Sequence, residues 1–225
     1  MTRNGLAALA ILVPALASLS CTGAEQQVVQ TFFTAVQGGD ELLASGVSLA
    51  EFPGSVTAWE ILEIGPESKE PFGLSALRGE YQELEAALEK EKRDAEAFLE
   101  KNARQAAEFQ RRLQRDPDYK FQGELAEFQA EWDRRFEAQE DLMAQLEDAK
   151  QRISDLRSAA GLSLNTNVSD SFDGEVKGKL VRLKVSDGSE EKMYTFKLQR
   201  FELADTERNL TPMARWIITE IDQEV

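Results

Sequence analysis

Residues 121–160, FQGELAEFQAEWDRRFEAQEDLMAQLEDAKQRISDLRSAA, decide the fold. Phe121, Leu125, Phe128, Trp132, Leu142, Leu146, Ala149, Ile153, Leu156 and Ala160 follow alternating steps of four and three. Only Arg135 and Gln139 bring polar side chains to that seam. A seven-residue period sustained over this length marks a helix that buries one stripe against another helix.

The second helix is predicted immediately upstream. Residues 75–115 are again rich in Glu, Lys, Arg, Gln, Ala and Leu, and Leu77, Tyr81, Leu84, Leu88, Ala95, Phe98 and Phe109 keep the same spacing. Glu91 and Asn102 interrupt it, while Leu99, Ala106 and Leu113 mark a drifting seam. The two arms are similar in length and are separated by Asp116-Pro117-Asp118, so an antiparallel coiled-coil hairpin is predicted over residues 73–161. Asp116 is expected to cap the second helix with Pro117 in its first turn, and Gly161 to close it in the left-handed conformation. About 40 residues per arm, at about 1.5 Å rise each, make a rod on the order of 60 Å long.

The flanks have a different pattern. Val28, Val29, Phe32, Phe33 and Val36 share one helical face, and Gly38-Gly39 stops that helix before Asp40. An amphipathic helix of this kind needs a sheet to cover. Strands are predicted at residues 56–64, 174–185, 193–203 and 214–221, the middle pair joined by a turn at Asp187-Gly188-Ser189. Asp170 to Glu175 lacks the spacing of a calcium loop and reads as a polar turn entering a strand.

Apolar parity changes within two of these strands. Val176 and Leu180 share one parity while Val181, Leu183 and Val185 share the other, and Tyr194, Phe196 and Leu198 give way to Phe201 and Leu203. A change of parity reads as a bulge, which bends a sheet. The predicted class is α+β: a curved antiparallel sheet packed on N-terminal helices, with the long hairpin inserted.

Val28 to Asp40, with its terminal Gly-Asp, resembles the opening helix of a bacterial-lipoprotein branch of the nuclear transport factor-like, or cystatin-like, superfamily. Tyr194-Thr195-Phe196-Lys197-Leu198 and Arg215-Trp216-Ile217-Ile218-Thr219-Glu220-Ile221 resemble its last two strands. The resemblance implies a cone-shaped α+β domain formed by residues 21–72 and 162–225. It leaves the hairpin as an insertion after the first strand. It passes on no active site, because catalytic members use acid–base side chains in the cone, often including His.

The N-terminus has the layout of a secretory signal peptide over residues 1–20: Arg3, then an apolar run from Leu6 to Leu19 broken only by Pro14 and Ser18. Two cleavage products are consistent with it. Ala15-Leu16-Ala17 suits an ordinary signal peptidase, leaving Cys21 as a free thiol. Ala17-Ser18-Leu19-Ser20-Cys21 resembles a lipobox, with Ser18 where Leu is usual, and would make Cys21 the lipid-bearing first residue. Cys21 is the only cysteine and so has no disulfide partner within the chain. Thr22 after it implies an outer-membrane address facing the periplasm.

Composition excludes several functions. Lys and Arg total 26 against 41 Asp and Glu, a net charge of −15, which repels phosphate backbones and argues against nucleic-acid binding. There is no histidine, which removes the usual zinc and haem ligand and the commonest general base. No metal site and no cofactor are expected. The leading expectation is a non-enzymatic, envelope-anchored interaction protein, held to the membrane by lipid on Cys21 and reaching a protein partner or a second copy through the hairpin. The alternative is a small-molecule-binding or enzymatic cone lined by Phe32, Phe33, Trp59, Phe196 and Trp216.

Overall fold

The computed structural model describes residues 23–224, so the signal segment and Cys21 lie outside the described residues. The elements run α1 (Ala24–Gly38), α2 (Glu41–Ser45), β1 (Ala58–Ile64), β2 (Ser68–Pro71), α3 (Leu74–Lys101), α4 (Ala103–Arg115), α5 (Glu124–Leu164), β3 (Phe172–Ser186), β4 (Glu191–Asp205) and β5 (Ile217–Gln223). The class is α+β. The sheet is antiparallel and open, in the order β1-β3-β4-β5, and β2 joins it on β3. The short, fully exposed β2 has no apolar alternation, so the sequence pattern does not announce it, and the hairpin follows β2 instead of β1.

The parity change has a different cause from the expected bulge. β3 and β4 pair without interruption from Phe172↔Asp205 to Ser186↔Glu191. Val181, Leu183, Val185, Tyr194, Phe196 and Leu198 lie on one face of this ribbon and pack on Val28, Val29, Phe32 and Phe33 of α1. Phe172, Val176, Phe201 and Leu203 lie on the other face and pack on Ala159, Ala160 and Leu164 of α5 with Phe72 and Leu74. Because side chains alternate across a strand, a change of covered face reverses apolar parity without any extra residue. Consecutive Ile217 and Ile218 of β5 accordingly enter opposite cores. Bulges do occur, but where β1 meets β3 at Ile61/Glu63 and where β4 meets β5 at Lys197/Leu198.

Local chemistry fixes the joints. Gly39, at φ 68, ends α1, and the Asp40 carboxylate accepts the Leu43 N–H at 2.9 Å to start α2. Gly174 has φ 149, and a Cβ there would stand 2.2 Å from the Glu202 carbonyl oxygen, so the β3–β4 pairing admits no side chain.

The first arm of the hairpin is two helices, broken at Asn102, whose side-chain amide donates to the Phe98 carbonyl at 2.8 Å. Asp116 is not the cap of the second arm. It ends α4 in extended conformation and accepts the Asp118 N–H at 3.1 Å, and α5 starts only after Gly123. Gly161 does not close α5 either; the helix runs to Leu164 and ends at left-handed Asn165, φ 51. Burial holds this extra turn helical. Ser163 is fully buried, and its hydroxyl donates to the Arg215 carbonyl at 2.6 Å and accepts the Phe201 N–H at 3.1 Å. It thereby bridges β4 and the chain entering β5.

Only residues from Ile153 onward in α5 belong to the sheet's cores. The stretch from Glu124 to Arg152 packs on the first arm alone and extends roughly 40 Å beyond the sheet.

Candidate functional site

Along the hairpin seam, Leu88, Ala95, Phe128 and Ala149 are buried. Phe98 stacks on Phe128 with ring centroids 5.3 Å apart, and Phe109 on Phe121 at 4.6 Å. The two charged residues that interrupt the heptads on opposite arms meet here. Arg135 lies 3.2 Å from Glu91 across the seam and 2.9 Å from Glu131 on its own helix, and its guanidinium stands 5.3 Å from the Phe98 ring centroid. The Arg135 and Glu91 side chains are 17% and 20% exposed. Such a pair defines the register of the arms, because any slip separates it. Arg152 and Glu80, 2.8 Å apart, add a second crossing nearer the sheet.

The outer surface of the rod carries two exposed apolar side chains, Phe136 (53%) and Met143 (59%). They are one heptad apart and share a helix face, each one residue past a seam position. The heptad pattern gives no signal for either, since both lie outside the stripe it predicts to be buried. Only an apolar residue in the flanking row could have marked them.

Helix α4, which leads into the tip, is basic, whereas the turn and helix start that follow it bring the acids Asp116, Asp118, Glu124 and Glu127. α4 carries Arg104, Arg111, Arg112 and Arg115 against the single acid Glu108. Arg111 and Arg112 reach Glu108 at 2.7 and 2.8 Å, and the Arg112 hydrogen bond holds the Glu108 carboxyl below its ordinary range. Arg112 also donates to the Tyr119 hydroxyl, and its guanidinium stands 4.9 Å from that ring's centroid.

The five aromatic residues proposed to line a cone share one core cluster between α1 and the sheet. Phe32, Phe33, Phe196 and Trp216 are buried and Trp59 is half-buried. Four of them touch: Phe33 stacks on Trp59 at 5.1 Å and lies 5.6 Å from Phe32 and 5.5 Å from Phe196, with Phe32 5.8 Å from Phe196. Trp216 stands apart, its ring flanked by Lys179 at 5.4 Å and Arg200 at 5.2 Å. Phe52 and Tyr194 complete the aromatic cluster, 4.9 Å from each other.

Phe32 also forms part of a cleft of about 660 Å³ between α1 and α2, together with Ala35, Val36, Ala44 and Phe52. Leu42 (87%) and Leu49 (45%) stand exposed at its margin. The carboxylates bordering it, Asp40, Glu41 and Glu51, are exposed.

Asp205 is the buried carboxylate of the described residues, and turn geometry occupies it. Burial raises its pKa, but the Arg208 N–H at 3.1 Å, the Ser171 hydroxyl at 2.9 Å and the Glu207 N–H at 3.1 Å outweigh that and hold it below the ordinary range. Among the described residues, no group of three or more His, Cys, Asp or Glu is placed to hold a metal, and no helix is long and apolar enough to cross a membrane. No family model, curated protein or solved structure matches this chain.

Proposed function

We propose that the chain is a non-enzymatic, envelope-anchored lipoprotein that works as a scaffold, with a nuclear transport factor-like domain near the membrane and the hairpin as its docking arm. In this reading Cys21 carries the lipid, and the outer membrane, on its periplasmic side, is the address. The observation that carries the docking role is the pair Phe136 and Met143, exposed on a rod that extends past the sheet. Partners that read a helix face use apolar anchors spaced along one side of it. The aromatic cluster, filled by its own rings, supports a structural role for the sheet domain.

The test is a photo-reactive phenylalanine analogue placed at position 136 or 143 in cells of the native host, with position 144 as control. Adducts are expected from 136 and 143 and not from 144. No adduct from 136 or 143, in a protein that keeps its helical signal, would overturn the docking role.

A second reading, a small-molecule-binding domain, is favoured by the cleft between α1 and α2 with its apolar walls. Co-purification of a stoichiometric apolar ligand, released when Ala35→Trp fills the cleft, would establish it over the scaffold.

A further inference from the structure

We infer that α4, the outer part of the first arm, is a hinged flap that opens as a unit about Asn102, with Phe109 as its latch against Phe121 and Phe128. The motion needs no partner and is independent of the docking role.

The hinge is a built-in break. α3 ends at Lys101, α4 starts at Ala103, and Asn102 between them has φ −110 and ψ 25, outside the helical region. Its side-chain amide and its own N–H both donate to the Phe98 carbonyl, at 2.8 and 3.1 Å. An Asn that bonds the backbone locally competes with continuation of the helix. Asn102 also takes a seam position, so the break falls where the stripe between the arms is polar.

Packing differs on the two sides of the break. α3 buries Leu88 and Ala95 and crosses to α5 through the Glu91–Arg135 and Glu80–Arg152 ion pairs. α4 buries no side chain. Its apolar residues Ala106, Phe109 and Leu113 are half-buried, and among the described residues no hydrogen bond or ion pair joins α4 to α5. The ion pairs of Arg111 and Arg112 close on Glu108 within α4, and Arg112 also reaches Tyr119 of the connecting turn, so these contacts move with the flap.

The flap is held by rings. Phe109 lies 4.6 Å from Phe121 and 5.6 Å from Phe128. Phe128 is buried and stacks on Phe98 of α3, so it keeps its place when Phe109 leaves. Residues 116–123 join α4 to α5 without helix or strand and reach about 26 Å when extended, which is slack enough for the swing. Segments with few buried apolar contacts open at free energies well below that of global unfolding.

The test is hydrogen exchange of the mature chain with Cys21→Ser, read residue by residue by NMR at low denaturant concentrations. Amides of residues 107–115 are expected to exchange through one shared opening, with a common denaturant dependence and protection roughly a hundredfold or more below that of residues 84–98. Phe109→Ala should lower the protection of α4 by about a further tenfold and leave α3 and residues 140–158 unchanged within about twofold. Asn102→Leu removes the competing amide and fills the seam, so it should join the two helices and bring α4 to within about tenfold of α3.

Protection of α4 equal to that of α3 would overturn the proposal. So would protection that declines evenly from Ala95 to Arg115, which is fraying from the tip instead of opening at a hinge. A loss from Phe109→Ala spread equally over α3, α4 and α5 would overturn it too, because Phe109 would then belong to the whole hairpin.

Discussion

Arg135→Leu and Glu91→Leu break the same ion pair, yet the structure makes them unequal. At 3.2 Å, and with an effective dielectric of roughly 20, Coulomb attraction is about 5 kcal/mol, and desolvating each ion offsets several kcal/mol of it. Glu91→Leu leaves Arg135 its Glu131 contact at 2.9 Å and its place over Phe98, so the expected loss is under about 0.5 kcal/mol. Arg135→Leu removes the side chain that donates to Glu91 and leaves that carboxylate 20% exposed in the seam, a loss of about 1–2 kcal/mol. Replacing both residues by Leu continues the heptad stripe. It also deletes the buried Nε of Arg135, which has no partner, so the double variant should match or exceed the wild type by about 1 kcal/mol. For a chain of this size 1 kcal/mol corresponds to about 2–4 °C in Tm. Thermal unfolding followed by circular dichroism should rank the double variant first, Glu91→Leu close to wild type, and Arg135→Leu about 2–8 °C lower. Equal losses from the two single variants, or a double variant worse than both, would refute the reasoning.

Other consequences follow from the sheet and its joints. Gly174→Ala places a methyl group against the Glu202 carbonyl and should cost more than about 2 kcal/mol in denaturant unfolding, whereas Gly38→Ala, with open space at that position, should be neutral or stabilising by up to about 1 kcal/mol. Ser163→Ala leaves the buried Phe201 N–H without its acceptor and should cost about 1–3 kcal/mol; a loss below 0.5 kcal/mol would show, on the scale of a single buried hydrogen bond, that the hydroxyl is not the bridge described. Asp187 accepts the Glu190 and Ser189 N–H groups and the Ser189 hydroxyl, which lower its pKa from 3.8 to about 2. A lowered pKa means that its contribution is present above about pH 3.8 and is lost as pH falls toward 2. The Ser189 amide shift should titrate with a midpoint near 2, and a midpoint near 4 would contradict the turn geometry.

The elements written in apolar period were legible in the sequence: α1 with its Gly38-Gly39 stop, β1, the three C-terminal strands and both arms of the hairpin. What period alone does not carry was not. Parity reports which face is covered, so a ribbon covered on opposite faces at its two ends looks like a bulged strand until the helices are placed. β2 has no buried side chain and so leaves no pattern. Glu91 and Arg135 read separately as flaws in two heptads, because only the register of the arms shows that they meet. Gly161 satisfied the local rule for a helix end, but burial of Ser163 and Leu164 against β4 and β5 outweighed it. At the candidate site, Phe136 and Met143 gave no signal because they lie off the stripe that folding requires.

In the proposed scaffold reading, display of the hairpin from a membrane surface depends on lipid at Cys21, and the intact mass of the protein purified from the native host's membranes tests it most directly, beside a Cys21→Ser variant. The account predicts a mature chain that begins at Cys21 and carries a diacylglyceryl-plus-acyl increment, with the variant unmodified and lost from the membrane. An unmodified chain that begins at Ser18 would contradict it and leave a protein released from the membrane.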